Sequence, residues 1–187
     1  MNQLTLYHCN DKKRCEQFLK NEIDLIESKE DGSWLGNGMY FWENLANAKY
    51  WLEQKKNKND RQQYRILKCL VCLDCCLDLT DKDIIDEVYE TWKEACRSVF
   101  HYKDDSSTNE LGVIINQLFS DGFKDDFSSQ YDIIKVLGKY VAEHVIFKNN
   151  KKQNKNLNKI RPTNAVKVIY CAKKKSCILS REVIKNG

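Results

Sequence analysis

The sequence predicts an α+β fold, and three observations carry that prediction. Short β-type segments and amphipathic helical stripes are mixed along the chain without a regular βαβ rhythm. The 187 residues are 42% hydrophobic, which suits one folded domain with a sizeable core. No internal repeat or linker divides them, so residues 1–187 are read as a single domain.

Leu4, Leu6 and Tyr7 form a short strand over 4–7 that ends at His8. Asn10 or Asp11 can cap a helix reaching about Asn21, with Cys15, Phe18 and Leu19 on one face. Residues 28–38 are polar and glycine-rich, hence loop. "MYFW" at 39–42 is an aromatic strand, and a helix then starts at Glu43 or Asn44 with Leu45, Ala48, Trp51 and Leu52 at helical spacing.

"YRILKCLVCLDCCLDL" at 64–79 is apolar throughout and reads as one long buried strand. Thr80 or Asp81 caps the next helix, whose stripe is Ile84, Ile85, Val88, Trp92, Cys96 and Val99. "HYKDDSST" is a loop and 109–119 a helix. Residues 131–147 read as two strands or one strand with a break. "KNNKKQNKNLNK" at 148–159 has nothing to bury and is predicted to be a mobile basic loop. Residues 165–172 form a strand, and 176–184 another strand or a terminal hook.

Charge is unevenly spread. Residues 148–187 carry twelve Lys/Arg and one acid, Glu182, whereas residues 1–147 carry nineteen basic and twenty-six acidic side chains. A basic C-terminal third suits a polyanionic or acidic partner, or a plainly solvated lysine-rich face. No apolar run approaches the roughly 20 residues that span a bilayer, and the N-terminus lacks a secretory pattern. The expectation is a cytoplasmic protein with no membrane partner.

The nine cysteines are odd in number and read as reduced thiols rather than as a disulfide frame. "CLVCLDCC" has one zinc-like spacing, Cys69-x2-Cys72. On an extended strand, however, Cys69 and Cys75 face one way while Cys72 and Cys76 face the other. No second CxxC supplies the missing ligands, so no metal is expected. His8 and Cys9 are adjacent on a strand end and diverge, which argues against a Cys–His nucleophile.

One stretch needs more than core packing. "WLGNGMYFWENLANAKYW" at 34–51 sets two glycines ahead of an aromatic strand and helix. Taken singly, His8 is a strand-end histidine, and Tyr40, Phe41, Trp42 and Trp51 are core aromatics. Taken in order, "LYHCN" followed about thirty residues later by "GNGMYFWENLANAKYW" resembles the ADP-ribosyltransferase superfamily, in its diphtheria-toxin-like and poly-ADP-ribose-polymerase-like branch. The chain looks close to small bacterial proteins of the pattern "YHGT…WLGxGxYFWE…CLDLTD". "SWLGNGMYFWEN", "CLDLTD" at 76–81 and "AVKVIYCAKKKSCI" at 165–178 occur here in that order. The resemblance touches most of the chain and is most specific over 4–52.

That resemblance implies a split antiparallel β-sheet core with flanking helices. It also implies NAD as co-substrate and a mono-ADP-ribosyltransferase activity, which is glycosyltransferase chemistry. His8 would contact the adenine-side ribose and the Cys9 backbone would read the carboxamide. Tyr40 would stack on nicotinamide, beside Phe41, with Tyr50 or Trp51 as the second wall, the alignment favouring Trp51. Gly36 and Gly38 would let the backbone pass close to the ligand.

Three positions depart from the family pattern. Cys9 stands in place of the usual glycine, and Ala48 in place of a serine common on the helix. The late strand carries Lys167 and no acid. Glu143 is the nearest candidate for the catalytic acid, with Glu43 and Glu182 as others, and Lys167 would bind phosphate of the substrate. The acceptor implied is a nucleic acid or a protein, in a toxin or phage-defence setting that would include an inhibitor or antitoxin protein. Two other readings are an inactive module of the same fold that binds NAD or nucleic acid without turnover, and a nucleic-acid-modifying enzyme independent of NAD.

Overall fold

A computed structural model describes residues 1–28, 34–98, 110–120, 127–139 and 166–184. Its strands are β1 (Gln3–Asp11), β2 (Met39–Trp42), β3 (Tyr64–Cys72), β4 (Cys76–Asp78), β5 (Ile133–Lys139), β6 (Val166–Ala172) and β7 (Ile178–Val183). The helices are α1 (Lys12–Leu19), α2 (Leu45–Lys58), α3 (Lys82–Ser98), α4 (Leu111–Leu118) and α5 (Phe127–Gln130), with a 3-10 turn at Lys175–Cys177 before β7. The strands join in one sheet of order β4-β5-β6-β2-β1-β3-β7. Its pairings are antiparallel except β4 with β5. The predicted α+β class is what the structure has.

Capping follows local chemistry. The Asp11 carboxylate accepts from the Arg14 N–H at 2.9 Å and starts α1. The helix stops early because Asn21 takes a left-handed backbone, φ 61°, which asparagine tolerates better than most residues. Asn44 caps α2 in the same way through the Asn47 N–H at 2.9 Å.

The 64–79 segment is a correction, since it forms two strands that lie far apart in the sheet. An aspartate in the apolar run makes the turn. Asp74 accepts the Asn2 N–H at 2.6 Å, while the Leu73 N–H bonds the Asn2 carbonyl at 2.7 Å. β3 therefore stays beside β1, while β4 crosses over to pair with β5. β1 is also longer than expected, because its register with β3 runs from Gln3–Cys72 to Asp11–Tyr64. On α3 the buried residues are Val88, Trp92, Ala95 and Cys96, and Ile85 is exposed. Val99, residues 140–147 and the basic 148–159 segment lie outside the described residues.

Both faces of the sheet are covered. Leu6, Phe41, Leu67 and Cys69 pack with Cys15 and Phe18 of α1 on one face. On the other, Cys9, Trp42, Ile66 and Ile169 meet Ala48 and Leu52 of α2. Further along, Leu77, Ile134 and Cys171 meet Trp92 and Ile115. Each buried large side chain contributes roughly 1.5–3 kcal/mol, so the central strands β1 and β2 are firmly held. Among the described residues no helix is long and apolar enough to cross a membrane.

Candidate functional site

β1 and β2 are sheet neighbours with one facing pair, Tyr7 opposite Trp42. Next to that pair the His8 side chain bridges the strands, its Nδ1 lying 2.6 Å from the Tyr40 carbonyl oxygen. A carbonyl only accepts, so Nδ1 carries the proton and Nε2 keeps a lone pair. The Asn10 amide lies 3.4 Å from Nε2 and donates towards it. Burial holds the His8 pKa down at about 4, against the opposing pull of the Tyr40 hydrogen bond. The ring is therefore neutral at physiological pH.

A cleft of about 110 Å³ opens where the two strands part. His8, Cys9 and Asn10 of β1 and Tyr40, Phe41 and Trp42 of β2 line it, with Ser28, Trp34, Trp51, Lys55 and Ile169. Its aromatic walls are tilted against one another. The Trp42 and Trp51 centroids lie 6.0 Å apart at 57°, and those of His8 and Phe41 lie 5.7 Å apart at 60°. Trp34 is 45% exposed and stands at the rim. The lining contains no Asp or Glu among the described residues.

The glycine-rich turn is built into this wall. The Tyr40 hydroxyl donates to the Gly36 carbonyl at 2.5 Å and accepts the Leu35 N–H at 3.1 Å. Lys173, at the end of β6, donates to the carbonyls of Leu35 (2.6 Å) and Asn37. Asn116 of α4 accepts the Asn37 N–H at 2.7 Å. Ser28 and Gly38 exchange backbone bonds across the loop. Gly36 has φ 69°, and a Cβ there would stand 2.7 Å from the Gly112 carbonyl oxygen.

The structure thus brings His8, Cys9, Tyr40, Phe41 and Trp51 together, and sets Gly36 and Gly38 in the adjoining turn. Tyr50 is 55% exposed and outside the lining, because the residue next to Trp51 on a helix faces another way. Lys167 sits on β6 opposite Gly138, also outside the lining. Glu43 is exposed, and Glu182 pairs with Lys68 at 2.9 Å towards the far edge of the sheet. Glu143 lies outside the described residues. The Cys9 thiol is pushed up to about 11 by burial, so it is protonated and a poor nucleophile.

Asn10, Ser28, Trp34, Trp42, Lys55 and Ile169 also line the cleft but carry no site role in the sequence reading. Two of them were findable there. Trp42 is two residues from Tyr40 on the same strand, and Lys55 is four from Trp51 on the same helix. Ser28 and Ile169 arrive from distant segments and leave no such signal. Among the described residues no three His, Cys, Asp or Glu side chains converge to hold a metal ion.

No family model matches the chain, and no solved structure matches it. It is similar to an uncharacterized protein of Methanocaldococcus jannaschii, 25% identical over 190 residues, which covers 98% of this chain and 85% of the relative.

Proposed function

We propose that the cleft binds NAD by its nicotinamide end and that the protein is a mono-ADP-ribosyltransferase acting on a nucleic-acid or protein acceptor. The observation that carries this reading is a neutral, fixed histidine at the parting of β1 and β2, facing an aromatic slot. A flat carboxamide-bearing ring suits such a slot, since stacking supplies affinity and a few polar groups supply orientation. The single facing pair between β1 and β2 supports reading the sheet as the split sheet of the ADP-ribosyltransferase superfamily.

In the proposed reaction the bond from ribose C1′ to the pyridinium nitrogen breaks, and its electron pair leaves with neutral nicotinamide. The acceptor's nucleophile then bonds C1′ and loses a proton. The intervening state is oxocarbenium-like, so gripping the leaving ring and holding the ribose are the protein's main tasks. Tyr40 and Trp51 are assigned the ring, and the Cys9 backbone the carboxamide. The His8 Nε2 lone pair, which here takes a long 3.4 Å contact from the Asn10 amide, is assigned a ribose hydroxyl donor that replaces Asn10 when the ligand binds. Glu143 is the proposed acid and Lys167 a contact to acceptor or phosphate. The setting proposed is cytoplasmic, as a toxin or defence effector countered by an inhibitor protein, with no resident metal.

One observation favours a second reading. The cleft is lined by no carboxylate among the described residues, which suits a module of this fold that binds NAD without turnover. Labelled NAD, incubated with the protein and separate RNA, DNA and protein fractions, separates the two. His8→Ala, Trp51→Ala and Glu143→Gln run alongside. Label moving into one fraction, and lost in the variants, supports transfer and identifies the acceptor class. Bound, intact NAD in every fraction supports the binding module. No binding of NAD at all sinks both.

A further inference from the structure

α2 presents Ala48, Trp51, Leu52 and Lys55 on one stripe, since these positions recur at three- and four-residue spacing. Ala48 and Leu52 are buried against the sheet, and Trp51 and Lys55 continue the stripe into the cleft wall. The lysine stem can lie along the apolar wall while its ammonium stays at the opening. That ammonium stands 5.9 Å from the Tyr64 ring centroid. It forms no ion pair with a carboxylate among the described residues, whereas the neighbouring Lys56 pairs with Glu53 at 3.2 Å. The lining holds no acid, and His8 is neutral, so Lys55 is the one fixed charge among the described lining residues. Its field reaches across the cleft, where it disfavours protonated His8 and favours a Cys9 thiolate.

We infer that Lys55 is the anion contact of this cleft and that the ligand is a phosphorylated heteroaromatic compound of nucleotide type. Its ring lies in the aromatic slot and its phosphate on the Lys55 ammonium. The identity of the ring as nicotinamide rests on the function proposed above; the phosphate contact does not. A cation with no carboxylate partner among the described residues, beside a slot for flat rings, selects for ring and anion on one molecule. A lysine serves phosphate as a compact point charge that tolerates several geometries.

Calorimetric titration of two matched pairs tests this: nicotinamide mononucleotide against nicotinamide riboside, and adenosine monophosphate against adenosine. In wild type the phosphorylated member of at least one pair binds about tenfold more tightly, as befits one charge-assisted contact. Lys55→Gln brings that ratio close to one by weakening only the phosphorylated member, and Lys55→Arg retains most of it. The preference also shrinks with added salt. Glutamine is a good helix former at this position, and an unchanged thermal midpoint confirms that Lys55→Gln folds.

A wild-type ratio near one in both pairs overturns the inference, as does an absence of binding by all four compounds or a ratio that survives Lys55→Gln. A Lys55-dependent preference in the adenosine pair alone, with no nicotinamide compound bound, keeps the phosphate contact and removes the nicotinamide reading.

Discussion

The His8 imidazole and the Tyr40 backbone carbonyl, thirty-two residues apart in sequence, are joined by a 2.6 Å hydrogen bond at the parting of β1 and β2. This bond fixes the histidine tautomer and leaves the Nε2 lone pair facing the Asn10 amide at 3.4 Å. It also makes the histidine a structural brace between the two strands.

Acid stability follows from that brace. The unfolded chain takes up a proton at His8 near pH 6.5, whereas the folded one does so only near pH 4. Between these values the unfolded state binds more protons, so stability falls as the pH drops from about 6.5 to about 4. The His8 contribution to that fall is about 3 kcal/mol. Urea unfolding across this range checks it, with His8→Asn as control. The variant is less stable at pH 7 but shows a shallower acid loss, and parallel curves for the two proteins would refute the assignment.

Lys173 holds the turn that carries Trp34. Replacing it with Met leaves the carbonyls of Leu35 and Asn37 without that donor, which costs about 1–3 kcal/mol. The urea midpoint falls accordingly, and chemical-shift changes cluster at residues 34–40 rather than across the sheet.

Gly36→Ala meets both a left-handed backbone and a Cβ site already occupied by the Asn116 side chain and the Gly112 carbonyl of α4. The expected loss is about 2 kcal/mol or more. A thermal midpoint within a degree of wild type would show that the turn can move to accommodate it.

Neighbouring aromatics on α2 should separate cleanly. On the proposed reading of the cleft as an NAD site, Trp51→Ala weakens NAD binding about tenfold or more while Tyr50→Ala leaves it unchanged, because Trp51 lines the cleft and Tyr50 faces solvent. Calorimetric titration of both variants with NAD decides the point, and equal losses would place the ring elsewhere.

Thiol reactivity should follow burial. Cys75 is exposed, whereas Cys15, Cys69 and Cys177 are buried, their thiols pushed up to about 12. Alkylation at pH 8 followed by mass spectrometry labels Cys75 first and these three only after denaturation.

Much of this molecule was legible in its residues one neighbourhood at a time. The aspartate and asparagine caps of α1 and α2, the aromatic strand β2 and the Trp51 stripe of α2 each follow from side chains within a few positions. Local chemistry is enough to specify such features. The run at 64–79 misled because its apolar continuity outweighed Asp74, whose carboxylate at the turn is bonded by the backbone N–H of Asn2, seventy-two residues away. Likewise, nothing near Trp34 announces that Lys173 will hold its turn, and nothing near His8 announces the Tyr40 carbonyl.

The sequence by itself determined most of the strands and helices, and set the glycines and aromatics of 34–51 next to one another along the chain. Periodicity and capping act over a few residues and need no partner. Only the tertiary structure decided that β1 and β2 part beside His8, that Trp51 rather than Tyr50 meets the cleft, and that Lys55 stands there without a carboxylate partner among the described residues. Those outcomes depend on strand order and register, which are set by contacts between residues far apart along the chain.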